Sequence, residues 1–134
     1  MTKIGFLLVG HGSKLPYNKQ LIENTAKNIA DKEEGYVVKT GFMEFNEPSI
    51  PEAVEAFRDE DIEMLQVVPL FLARGTHIDV DIPEILGIEE GGHKGTFKLK
   101  NKEIPLVFAH PIGENEMLAD LMISSGKKAV DDYL

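Results

Sequence analysis

The stretch FLLVGHGSKLP, residues 6–16, decides how the chain is read. The apolar run from Lys3 to Gly10 is almost unbroken, as expected of a strand covered on both faces. It stops at Gly10 and hands over to His11, Gly12 and Ser13. From Pro16 to Asp31 the pattern changes. Leu21, Ile22, Thr25, Ala26, Ile29 and Ala30 make a one-sided stripe at helical spacing, and Gly35 ends it. A buried strand that breaks at a glycine turn and feeds an amphipathic helix is the first half of a βαβ unit around a parallel sheet.

The rest of the chain repeats that alternation. Tyr36 to Met43 reads as a second strand, and PSIPEAVEAFRDE, residues 48–60, as a helix with Ser49 as N-cap, Pro51 in the first turn and Glu52 closing a capping box. Met64 to Leu72 makes a third strand, which Pro69 loosens toward its carboxyl end. A helix around Val80 to Leu86 follows, with Pro83 near its start. Residues 87–103, GIEEGGHKGTFKLKNKE, are polar and glycine-rich and read as a surface excursion with room for a small hairpin. Ile104 to His110 forms a fourth strand, and Asn115 to Tyr133 a last helix. The predicted fold is α/β: a three-layer, doubly wound, mainly parallel four-stranded sheet, built by residues 1–134 as one domain.

Composition narrows the function. There is no cysteine, so disulfides and thiolate metal sites are excluded and a metal would sit on His, Asp or Glu. The net charge of -9 argues against nucleic acid, which calls for a basic face. The apolar stretch Ile4 to Val9 is too short to span a membrane and lacks the marks of a secretory signal, so a cytoplasmic protein with a small or medium ligand is expected.

Ligands of doubly wound sheets bind outside the carboxyl ends of the strands, where the strand order reverses. His11 follows the first strand and His77, in FLARGTH, comes shortly after the third. Right-handed crossovers commonly place strands one and three side by side, so both imidazoles are expected in one crevice. Gly10, Gly12 and Gly75 beside them would allow tight turns and close approach of a bulky ligand. Two neutral imidazoles suit Co, Ni, Cu, Zn or Fe but make an incomplete site, suited to passing a metal on rather than storing it.

Four segments together resemble a known family: LLVGHGS, GFMEFNEPSIPEAV, VVPLFLARGTHIDVDIPEILG and HPIGE. In that order they resemble the short, archaeal-type sirohydrochlorin cobaltochelatases, class II chelatases whose methanogen members also act as nickelochelatases; the resemblance runs from Ile4 to Glu114. It implies a chelatase-like half-domain whose metal-binding histidines are His11 and His77, and a homodimer in which two copies build one cleft. The implied substrate is sirohydrochlorin, a tetrapyrrole with eight carboxylate side chains, and the implied metal, Co²⁺ or Ni²⁺, is itself a substrate, with no permanently bound cofactor. Glu44 in MEF matches an acidic position that some members carry.

Insertion removes two pyrrole protons and exchanges the ion's ligands for ring nitrogens. An imidazole, with a reference pKa of about 6.5, can hold a metal or take a proton near neutral pH, but not both on one nitrogen. His11 and His77 are therefore expected to deliver the metal, with Glu44 or the substrate's own carboxylates helping to take protons. The amides of Gly12, Ser13 and Lys14, with the cations Lys14 and Arg74, are the expected partners of the substrate's carboxylates, and Gly75 and Thr76 lie beside them. His93 reads as solvated, and His110 as a neighbour of the cleft.

Rival readings are a phosphate-handling enzyme, a carrier and iron insertion for siroheme. The first lacks an arginine before its histidine and lacks a Gly-Lys-Ser/Thr loop. A non-catalytic metal or tetrapyrrole carrier would use the same histidines without turnover.

Overall fold

A computed structural model describes residues 3–134. Strand β1 (Ile4–Gly10) leads into helix α1 (Tyr17–Lys32), then β2 (Tyr36–Phe42), α2 (Ile50–Glu55) and β3 (Met64–Pro69). A π-helical turn, His77–Asp81, runs directly into α3 (Ile82–Leu86). The antiparallel pair β4 (Lys94–Lys98) and β5 (Glu103–Phe108) follows, and α4 (Glu116–Tyr133) comes last. The helix entered at Ser49 carries the expected capping box, in which the Ser49 amide holds the Glu52 carboxyl below its ordinary pKa.

The sheet order is β2-β1-β3-β5-β4, with β1 parallel to both β2 and β3 and β3 parallel to β5. Strands β1 and β3 are neighbours, as expected for a doubly wound sheet, and the order reverses between them. The sheet has five strands, not the expected four. The fifth, β4, lies inside residues 87–103, whose polar, glycine-rich composition predicts a surface excursion with room for a small hairpin but not a strand joining the main sheet. Along it, Lys94, Thr96 and Lys98 face water while Phe97 is buried, and Ile88 and Leu99 are buried on either side. That alternation is what a half-covered edge strand needs, and the lysines guard the edge against further pairing.

The two faces of the sheet are covered unequally. On one face α2, the π turn and α3 seal a core that runs across the whole sheet, from Leu7 and Val9 through Phe57, Leu65 and Val67 to Leu106 and Phe108. On the other, α1 packs Ile22 and Ala26 against Leu8 and Phe42, over β1 and β2 only. Gly10 makes this contact possible, since a Cβ there would run into the Ile22 side chain. Helix α4, expected to complete a helical layer, is exposed along its length apart from the half-buried Leu118. Among the described residues no helix is long and apolar enough to cross a membrane.

Candidate active site

His11 leaves the carboxyl end of β1, and His77 opens the π turn that follows β3. The strand order brings them together: the ring centroids are 5.1 Å apart with the planes at 65°. Phe71 backs the pair, with its ring centre 6.1 Å from His11 and 6.2 Å from His77. Each ring has one nitrogen engaged. His77 Nδ1 lies 2.8 Å from Asp81 Oδ2, and His11 Nδ1 lies 3.2 Å from the Gly12 carbonyl oxygen. Both oxygens only accept, so each Nδ1 carries the proton and each Nε2 keeps its lone pair for a metal.

Glu44 joins the pair from the exit of β2, with Oε1 3.7 Å from His11 Nε2. Main-chain hydrogen bonds sew the two exits together, from Met43 N to Gly10 O and from Glu44 N to His11 O. Gly12 is what lets them close: its φ is +90°, and a Cβ would overlap the Glu44 carbonyl oxygen. The glycine thus serves contact between two loops of the protein itself. Gly75 shows no such constraint, since a Cβ there would meet only open space.

The expected anion-binding residues are placed less simply. The Gly12 amide donates to Asn18 Oδ1 and the Ser13 amide to Asn46 Oδ1, each at 2.9 Å, so two of the three amides expected to meet carboxylates are already engaged. The Lys14 ammonium lies 5.5 Å from the centre of the Phe45 ring. Phe45 itself is 59% exposed at a φ of +65°, a conformation bulky residues rarely adopt, and forms an apolar wall beside Glu44. Arg74 pairs with Asp79 at 3.1 Å, and Gly75 and Thr76 sit exposed on the loop before His77.

Beyond Arg74 a cleft of about 580 Å³ continues along Ala73, His110, Pro111, Ile112 and Gly113. A smaller cavity of about 380 Å³, between Arg58 to Asp61 and Leu99 to Lys102, lies at the opposite, amino end of the strands. Among the described residues, no group of three or more His, Cys, Asp or Glu side chains is arranged to hold a metal ion.

Four residues of the site lie outside the sequence reading: Asp81, Asn18, Asn46 and Phe71. Asp81 stands four residues after His77 in a helical segment, a spacing that signals a side-chain pair. Phe71 lies inside the quoted FLARGTH motif, which does not reveal that it touches both rings. Asn46 acts across 33 positions of sequence, beyond the reach of any local pattern.

Known proteins resemble this chain in sequence and in fold. The sequence model of the CbiX family matches residues 5–129. The sirohydrochlorin cobaltochelatase of Methanosarcina barkeri is 44% identical over 128 residues, covering 96% of this chain and 98% of that one. The fold is similar to the sirohydrochlorin chelatase SirB of Bacillus subtilis subspecies spizizenii in complex with cobalt. The TM-score is 0.78 at 25% identity, over 95% of this chain and 51% of SirB, so this chain spans about half of SirB. The sirohydrochlorin cobaltochelatase of Methanococcoides burtonii is 45% identical over 120 residues, covering 90% of this chain and 92% of that one.

Proposed function

The chain belongs to the CbiX family, and from that premise we propose that it inserts a divalent metal ion, Co²⁺ or Ni²⁺, into sirohydrochlorin, as a cytoplasmic homodimer. One observation carries the reading: two imidazoles 5.1 Å apart at the switch point, each with Nδ1 held by an oxygen and Nε2 free.

The metal is a substrate here. His11 and His77 hold it through Nε2, two ligands where a storage site would use four, so ring nitrogens can replace them without a tight cage having to be broken. Asp81 fixes the orientation and tautomer of the His77 ring. Two protons leave the pyrrole nitrogens as the ion enters. Glu44, within 3.7 Å of His11 Nε2, is placed to accept one, or to help neutralise the ion before transfer. Phe45 offers a face to the flat macrocycle, while Lys14, Arg74 and the loop Gly75 and Thr76 meet its carboxylates.

The length relation to SirB supports the two-copy cleft, since one copy of this chain aligns with about half of that protein. The test mixes the protein with sirohydrochlorin and Co²⁺, Ni²⁺ or Fe²⁺ in turn and follows the absorption spectrum. Acceleration with Co²⁺ or Ni²⁺ over the protein-free mixture is the expected result. Binding of metal and tetrapyrrole without acceleration would make the protein a carrier, and acceleration with Fe²⁺ alone would move it to siroheme formation.

A further inference from the structure

The chain has 23 acidic side chains, yet among the described residues none lines the cleft of about 580 Å³ beyond Arg74. The walls of this cleft come from two neighbouring strand exits. Ala73 and Arg74 follow β3, and His110 to Gly113 follow β5, which runs parallel to β3 at its side. The cleft therefore sits on the same carboxyl edge of the sheet as His11 and His77, where ligands of such folds bind.

The wall after β5 is held in place by main chain. Pro111 is buried, and the amides of Ile112 and Gly113 donate to the carbonyls of Phe71 and Leu72 at 2.9 and 2.7 Å. Phe71 is the ring that backs the histidine pair, so one residue anchors both the metal-facing imidazoles and the wall of the cleft.

Two polar side chains line the cleft, and both have donors to spare. Arg74 commits Nε to Asp79 Oδ1 at 3.1 Å, which orients the guanidinium and leaves its two terminal nitrogens for a ligand. His110 is exposed; among the described residues its ring meets the His93 ring, with centres 4.0 Å apart, and no hydrogen-bond partner. An imidazole presents at least one N–H in either charge state. Between these donors Ala73, Pro111 and the 40% exposed Ile112 supply apolar surface. Such a cleft suits a short methylene arm that ends in a carboxylate: the methylenes lie on Ile112, and the oxygens take charge-assisted hydrogen bonds.

We propose that Arg74 and His110 together grip one carboxylate arm of the tetrapyrrole, which makes His110 a substrate-binding residue. With that arm seated, the macrocycle extends back along the carboxyl edge toward His11 and His77. The inference rests on the chelatase reading above and adds the pocket that recognises the rim of the substrate.

The test is a metal-free titration of the full chain with sirohydrochlorin, followed by the absorption change of the tetrapyrrole. His110→Leu should weaken binding about tenfold, the scale of a lost hydrogen bond to a charged group, and His110→Gln, which keeps a donor, should return it to within about threefold of wild type. Co²⁺ affinity, titrated separately, should stay within about twofold in both variants, a split that damage to the shared anchor at Phe71 would not give. Arg74→Leu should weaken binding by a similar factor. Because both side chains hold one arm, the double variant should lose less than the product of the single losses. If the wild type binds sirohydrochlorin and His110→Leu binds it as tightly, the grip is overturned and the chelatase reading stands. Losses that multiply would place the two residues on different arms and overturn the shared grip. A wild-type chain that binds no sirohydrochlorin would overturn the chelatase reading itself.

Discussion

The four histidines of the chain form two pairs at the same end of the sheet, and their surroundings differ. His11 and His77 stand 5.1 Å apart between two carboxylates, Glu44 and Asp81. His93 and His110 are closer, with ring centres 4.0 Å apart, but His93 Nδ1 lies 2.6 Å from the main-chain oxygen of Phe108, and the His93 ring stacks on the Phe108 ring at 5.7 Å. Proximity of two imidazoles therefore does not by itself make a metal site. The first pair is framed by anionic groups that favour a cation, while the second ties the start of β4 to the end of β5.

The sharpest break in that comparison is His77→Ala. It removes a proposed metal ligand and leaves the core untouched, because the ring is part-exposed at the start of the π turn. Insertion should fall about a hundredfold or more, the scale of losing a directly engaged group, with the thermal unfolding temperature close to wild type. His11→Ala should behave alike. Full activity in either variant would end the metal-delivery reading.

Asp81→Asn tests the frame rather than the ligand. Asparagine can still meet Nδ1, but it loses the negative charge and can present a donor instead, which would move the ring's proton to Nε2. Metal affinity should fall about 10- to 100-fold, as when the outer partner of a ligating histidine is lost. Titration with Co²⁺ checks this, and an unchanged affinity would show that Asp81 only caps the turn.

Gly12→Ala acts one step further out. The new methyl group at a φ of +90° would displace the Glu44 carbonyl and with it the loop that brings Glu44 to His11. Strain and overpacking should cost about 2 kcal/mol of stability, read by denaturant unfolding, and insertion should drop roughly tenfold. If the variant is as stable as wild type, the close approach of the two loops is not as drawn.

Much of this was legible in the sequence because it is local or follows from topology. The β1 run ending in Gly-His-Gly, the Ser49 to Glu52 box and the adjacency of β1 and β3 all follow from spacing, propensity and the crossover rule. β4 was masked because its alternation is short and set among glycines and lysines, so its only core side chain within the strand is Phe97. Asn18 clamps Gly12 from six positions along the chain and Asn46 clamps Ser13 from 33, and no periodicity announces either. For α4 the sequence shows an amphipathic helix but not that its own chain leaves it exposed.

The mildest effect is expected at the second pair. His93→Ala removes a hydrogen bond to the Phe108 carbonyl and a stacked ring, but the Phe108 amide still donates to the His93 main-chain oxygen, which the substitution keeps. The join between β4 and β5 should therefore weaken without opening, at about 1 kcal/mol, or roughly 4 °C in unfolding temperature. Insertion should stay within about twofold of wild type, because His93 touches neither Glu44 nor Asp81 nor the first pair among the described contacts. A loss approaching that of His77→Ala, at unchanged stability, would mean that main-chain anchoring does not disqualify an imidazole from handling the metal, and that the two pairs work on one ion in turn.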